Sequence, residues 1–143
     1  MMTLWEHIDA LRIAYEKFTS SVCKKYNLKP REFDVLLYLH YHPDEATATD
    51  IVRKQNLSKS HVSVSLRALE ERGLVVGEFR GSNRRTIYLS TTEKAKDIIA
   101  DGASTIELFA RTMLTGFSEA EMTTFFDLLS RVKKNVMSYA KAR

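Results

Sequence analysis

The chain has a single cysteine, no apolar run approaching the ~20 residues a membrane span needs, and no glycine-rich loop of the kind that cradles phosphate. One cysteine excludes an internal disulfide framework and agrees with a reducing compartment. The N-terminus, Met1-Met2-Thr3-Leu4-Trp5-Glu6, lacks the basic-then-apolar order of a secretory signal, so the expected address is cytoplasmic, with no membrane partner. No cysteine–histidine or serine–histidine pairing can be placed, which argues against an enzyme and leaves no catalytic residue to name. Nothing calls for a cofactor. His40 and His42 lie two apart at the end of a helical pattern and share no face, a poor metal pair, so no metal site is expected. What is present, 44% hydrophobic and 28% charged residues over 143 positions, suits one globular domain or one domain with helical extensions.

The most informative stretch runs from Thr47 to Leu89. A short helix comes first, with Thr49 the expected N-cap and Ile51 and Val52 its apolar anchors. Asn56-Leu57-Ser58 breaks it, and Ser58 can cap a second helix by accepting a backbone N–H of the first turn. In that second helix Val62, Leu66 and Leu69 recur at spacings of four and three, so one face is buried. Lys59, Ser60, His61, Ser63 and Arg67 are left facing outward, and Val64 offers an apolar group beside them. Gly73 follows as the stop. Two β-prone runs, Leu74 to Phe79 and Thr86 to Leu89, flank the turn-rich basic segment from Arg80 to Arg85. The pattern reads as a helix-turn-helix with a β-hairpin wing, whose exposed chemistry suits a DNA groove. Residues 53 to 85 hold eight Lys/Arg against three Glu, a net of +5, while the rest of the chain nets −1 of the total +4. Positive charge is concentrated where phosphates would lie.

These residues resemble the MarR family of transcription regulators. The likeness rests on Leu57-Ser58-Lys59-Ser60 entering the second helix, the run from Leu69 through Gly73 to Val75, the Asn83-Arg84-Arg85 wing tip and Thr92-Glu93-Lys94, and it covers roughly residues 28 to 98. The chain departs from the family's pattern at Asn83, where an acidic residue is usual, at Thr91, where leucine is usual, and at Ala95, where glycine is usual. The resemblance implies a homodimeric repressor on a pseudopalindromic operator, released by a small aromatic effector. The candidate DNA contacts are Ser58, Lys59, Ser60, His61, Ser63, Val64 and Arg67 on the second helix, and Arg80, Asn83, Arg84 and Arg85 on the wing. By resemblance Arg84 enters the minor groove and Arg85 braces the wing. Candidate effector contacts are Trp5, Tyr15, Tyr38 and Tyr41, all of types that also serve as ordinary packing. The alternative is a winged-helix module that binds protein without specific DNA binding.

Around this lobe the chain is helical. Residues from Leu4 to about Tyr26 carry an apolar stripe of Ile8, Leu11, Tyr15, Phe18 and Val22. Lys24 and Lys25 beside Cys23 are of the sign that lowers a thiol's pKa, although the context favours a small, semi-buried side chain. Pro30 suits the start of a second helix, rich in Phe33, Leu36, Leu37 and Leu39, which ends before Pro43. A very short strand is expected near Ala46-Thr47. A long helix is expected from near Thr92, with Ser90 to Glu93 as a capping box, interrupted at Gly102, where a kink, a close helix contact or a plain tolerated glycine would each fit. Gly116 ends it, and Ser118 to Glu121 caps the last helix, in which Met122, Phe125, Phe126, Leu129, Val132, Val136 and Tyr139 run with helical spacing. That is more apolar helix surface than a small wing lobe can cover, and dimerisation is the economical solution. The expected layout is therefore mainly α with a small β-wing: an N-terminal dimerisation helix over 1–27, a winged helix-turn-helix over 28–91, and C-terminal dimerisation helices over 92–143.

Overall fold

The computed structural model describes residues 3–55 and 57–141. Met1, Met2, Asn56 in the expected break, and the last two residues lie outside the described residues. The elements in order are α1 (Leu4–Lys25), α2 (Pro30–Tyr41), α3 (Ala48–Gln55), α4 (Lys59–Glu71), β1 (Val75–Arg80), β2 (Asn83–Thr91), a 3₁₀ turn (Glu93–Ala95), α5 (Lys96–Met113) and α6 (Glu119–Lys141). Mainly helical with one two-stranded antiparallel sheet, this is the winged helix-turn-helix expected from the sequence. The chain forms two compact units, divided between Phe109 and Ala110.

In the first unit the core is centred on α2. Its Phe33, Val35 and Leu36 are fully buried and meet Ile51 of α3, Val62 and Leu69 of α4, and Leu74 at the entry to β1. The inward face of α4 is the one its spacing specifies. Gly73, at φ 71°, takes the left-handed turn that ends α4 and lets Leu74 donate its N–H back to the Leu69 carbonyl. Ala95 of the 3₁₀ turn and Ile98 and Ile99 of α5 complete the core, and Gly102 lies against Phe33 and Leu37. The glycine is therefore a close helix contact, one of the three roles its sequence position allows.

Several local expectations are corrected. The cap of α3 is Thr47 and not Thr49: the Thr47 hydroxyl accepts from the Asp50 N–H, while the Asp50 carboxylate accepts from the Thr47 N–H, so Thr47 and Asp50 close a reciprocal box. Ala46 and Thr47 form no strand; a single bond from the Leu89 N–H to the Ala46 carbonyl ties this segment to β2. Ser90 and Thr91 belong to β2, so Ser90 to Glu93 is not a capping box. The Thr92 hydroxyl instead donates to the Gly73 carbonyl, which anchors the base of the wing to the end of α4. Of the α1 stripe, only Val22 is buried; Tyr15 and Phe18 are half-buried, and Ile8 and Leu11 stand exposed.

In the second unit Ser118 and Glu121 close the expected capping box at the start of α6. None of the described side chains of α6 is buried.

A buried polar chain links three elements of the first unit. The Tyr15 hydroxyl donates to Asp34 Oδ1 at 2.7 Å, and Gln55 Nε2 donates to the Asp34 carbonyl at 2.9 Å. Burial pushes the Asp34 carboxyl above its usual range, with the bond from Tyr15 and the charge of Arg31 opposing. An acid whose folded pKa is raised contributes stability that is fully present below its unfolded pKa and is lost as pH rises through the folded value. Asp34→Asn, which removes the charge but keeps an acceptor for Tyr15, should come nearest to the parent in stability at pH 4 and exceed it by a growing margin as pH rises toward neutral. Urea melts of both proteins from pH 4 to 7 check this; parallel curves would refute it.

Candidate nucleic-acid interface

The outward face of α4 is set by its inward one. With Val62, Ser65, Leu66 and Leu69 buried, the side chains of Lys59, Ser60, His61, Ser63, Val64 and Arg67 are all exposed on the remaining surface. Val64, 60% exposed, is an apolar group held in water on an otherwise polar face. Ser58 caps the helix, its Oγ accepting from the His61 N–H at 3.2 Å and lying 3.3 Å from the Ser60 hydroxyl. The cap holds the first turn in register, so the three side chains after it are presented from an ordered backbone. Beside His61 and Val64 runs a groove of about 390 Å³, whose other wall is Lys29 to Glu32 at the start of α2.

The wing is shorter in its loop and longer in its strands than its composition suggests. Arg80 pairs with Asn83, so only Gly81 and Ser82 form the turn, and Asn83, Arg84 and Arg85 lie in β2. Asn83 stands in place of the family's acidic residue and acts on the backbone: its Oδ1 accepts from the N–H groups of Arg85 and Thr86 at 3.0 and 3.2 Å. The register shifts between Glu78 and Arg80. The Arg80 guanidinium lies over the Tyr88 ring, 4.1 Å from its centroid, and that of Arg84 lies 5.6 Å from the Phe79 centroid.

Packing decides which of the eight basic residues of this segment are spoken for. Arg53 pairs with Asp50 at 2.9 Å and Lys54 with Glu45 at 3.4 Å. Arg72 donates to the carbonyls of Tyr26 and Asn27 at 2.7 and 2.9 Å, fastening the end of α4 to the turn after α1. Lys59, Arg67, Arg80, Arg84 and Arg85 meet no carboxylate among the described residues. All five are exposed, two on α4 and three on the wing. The bracing role that resemblance implies for Arg85 has no ion pair behind it among the described residues; the wing is fastened at its base by Thr92 and by Lys94, which donates to the Arg72 carbonyl. Phe79 and Tyr88 are the participants that reading the sequence missed. The available signal was an aromatic residue on each strand of a hairpin whose tip is rich in arginine.

The remaining candidates are scattered. Tyr38 is buried, donating its hydroxyl to the Glu45 carbonyl at 2.9 Å, and Tyr15 is committed to Asp34. Trp5 and Tyr41 are exposed. Cys23 is buried and free, and its thiol is pushed up, first by burial and then by the charges of Asp34 and Glu32; the neighbouring lysines, both exposed, do not set the direction. No group of histidine, cysteine and carboxylate side chains suited to a metal occurs among the described residues.

Residues 26–86, which run from the turn after α1 through the helix-turn-helix into β2 of the wing, match the MarR family model. Over that stretch, which is less than half of its length, the chain is similar to the MarR family. Its fold is shared along almost its whole length with solved structures of MarR-family proteins. A MarR family transcriptional regulator from Listeria monocytogenes, crystallised with a 26mer DNA, superposes with a TM-score of 0.85 at 23% identity, covering 95% of this chain and 90% of that one. MepR of S. aureus in its DNA complex gives 0.80 at 17% identity, covering 94% and 96%. In sequence, the uncharacterized HTH-type transcriptional regulator YdgJ of Bacillus subtilis (strain 168) is 29% identical over 101 residues, 71% of this chain and 62% of that protein. The match thus spans less than two thirds of that relative's length. The alanine at position 95, where glycine is usual in the MarR pattern, is fully buried at the end of the 3₁₀ turn. No helix among the described residues is long and apolar enough to cross a membrane.

Proposed function

We propose that this protein is a MarR-family, cytoplasmic, sequence-specific DNA-binding transcription regulator that acts as a homodimer on a pseudopalindromic operator, as a repressor. The observation that carries the reading is the set of five exposed basic side chains without carboxylate partners among the described residues, two on α4 and three on the wing. Two relatives of the same fold were crystallised with DNA.

A symmetric dimer would present its two α4 helices to successive major grooves, roughly 34–36 Å apart. Lys59, Ser60, His61, Ser63 and Arg67 would reach base edges or phosphates from that helix, Val64 would meet a thymine methyl, and the Ser58 cap would place them. Arg80 and Asn83 would follow the backbone at the wing, with Arg84 in the minor groove, where narrow A·T tracts attract guanidinium, and Arg85 beside it. Release by a small aromatic effector, with Trp5, Tyr15, Tyr38 and Tyr41 as its contacts, belongs to the same reading.

The test is fluorescence anisotropy on labelled DNA from the region upstream of the protein's own gene, across a salt series and against scrambled DNA. A steep salt slope and a preference of ~10³ or more establish specific binding. Weak binding that ignores sequence refutes the reading and leaves the protein-binding module. Arg67→Ala should weaken binding by roughly 10- to 100-fold if the guanidinium reads a base, and should reduce the salt slope by about 0.9 if it meets a phosphate. Its melting temperature should stay within a degree or two, because Arg67 is exposed. A large drop in that temperature would show a structural role instead.

A further inference from the structure

The wing carries three arginines and one carboxylate, Glu78 on β1, and between Glu78 and Glu93 the sequence has no acidic residue. Glu78 pairs with none of the three, and among the described residues no carboxylate from elsewhere does. A long, solvated guanidinium ordinarily samples many rotamers, and fixing it on binding costs affinity. Two of the three are nevertheless placed. Arg80 on β1 lies over the ring of Tyr88 on β2, and Arg84 on β2 lies over the ring of Phe79 on β1. Each strand thus supplies one arginine and the aromatic face that carries the other strand's arginine. The hydrogen bonds from Arg85 and Thr86 to the Asn83 side chain fix the backbone on which Arg84 rides. Phe79 sits where the register shifts, and stays 44% exposed. Nearly half of this phenylalanine stays in water beside a two-residue turn, so burial alone does not account for it. Its ring offers what an arginine beside it can use, a negative π-face.

We infer that Phe79 and Tyr88 are positioning residues, which hold the guanidinium groups of Arg84 and Arg80 so that the wing meets the DNA backbone and minor groove already ordered. This rests on the DNA-binding reading proposed above. The cross-strand arrangement makes the two pairs interdependent with the hairpin register: whatever shifts β1 against β2 moves both arginines off their rings. Cation–π contacts at exposed sites correspond to roughly a three- to fivefold change in affinity each.

The experiment compares Phe79→Leu and Tyr88→Leu, which keep bulk but remove the π-face, with Phe79→Tyr and Tyr88→Phe, which keep it. The probe is a labelled duplex recovered from a random-sequence pool by selection with the intact protein. Each leucine variant should bind about three- to fivefold more weakly, with the salt slope unchanged because no charge is lost. Each aromatic variant should bind like the parent. Arg80→Ala and Arg84→Ala, by contrast, should reduce the slope by about 0.9 each. In the free protein, the side-chain protons of Arg80 and Arg84 should carry upfield ring-current shifts in NMR spectra, and these should vanish in the respective leucine variants. Leucine variants that bind like the parent overturn the inference, as do aromatic variants as weak as the leucine ones. Missing ring-current shifts in a parent that binds DNA overturn it while leaving the DNA-binding reading intact. A parent that enriches no duplex overturns both.

Discussion

Gly102→Val should lower the stability of the first unit by about 2–3 kcal/mol and its melting temperature by roughly 10 °C. At Gly102, α5 passes α2 so closely that even a Cβ would sit 2.8 Å from Phe33 Cε2 and 3.0 Å from Leu37 Cδ2. Phe33 is fully buried, so its ring has no free space to retreat into. Two opposing terms decide the outcome. Valine is a better helix residue than glycine by a few tenths of a kcal/mol, whereas forcing a branched side chain into a filled contact costs about 1–3 kcal/mol or more. The steric term wins. Phe33→Leu in the same chain should recover part of the loss, since the two positions share one volume and their effects are coupled. Calorimetry on the parent, both single variants and the double variant reads the coupling. Additive effects, or a Gly102→Val protein that melts with the parent, would show that the two helices can separate at this point without cost.

Phe126→Ala and Leu129→Ala should each weaken self-association by about 2–4 kcal/mol, roughly 30- to 1,000-fold in the dimer dissociation constant. On α6, Phe126, Leu129, Val132, Val136 and Tyr139 recur at spacings of three and four along one stripe, and they are 47–63% exposed within a single chain. Large apolar side chains left in water at helical spacing mark a surface that pairs with something, and each is worth about 1.5–3 kcal/mol when fully buried. A second copy is the partner proposed above. Sedimentation velocity across a concentration series gives the constant directly. Unchanged association in both variants would rule out the α6 stripe as the dimer contact, whatever the fold of the monomer.

The parts of the site legible in the sequence are those set by contacts a few residues long. The buried face of α4 follows from Val62, Leu66 and Leu69, and once it is known the exposed face follows by exclusion. Ser58 and Ser118 cap their helices as read, because each side chain reaches only its own first turn. Gly73 ends α4 because the chain must turn there into the left-handed region. The errors were local competitions between neighbours of equal chemistry. Thr47 and Thr49 are both good caps, and only Thr47 has Asp50 three residues ahead of it. Ser90 to Glu93 has the residues of a capping box, but the ladder with β1 holds Ser90 and Thr91 extended.

By itself the sequence determined the order of elements, the helix-turn-helix and wing, and the basic stretch from 53 to 85, since periodicity, capping and turn chemistry act over spans shorter than ten residues. Only the tertiary structure decided which of those charges are free. Arg53 and Lys54 are claimed by Asp50 and Glu45, and Arg72 by carbonyls 45 and 46 residues away in sequence. It also decided that burial, not the adjacent lysines, governs Cys23, and that Arg80 and Arg84 lie on aromatic rings of the opposite strand. The physical reason is the same in each case. A charge is committed or left free by what the fold brings within about 4 Å of it, and separation along the chain carries little of that information.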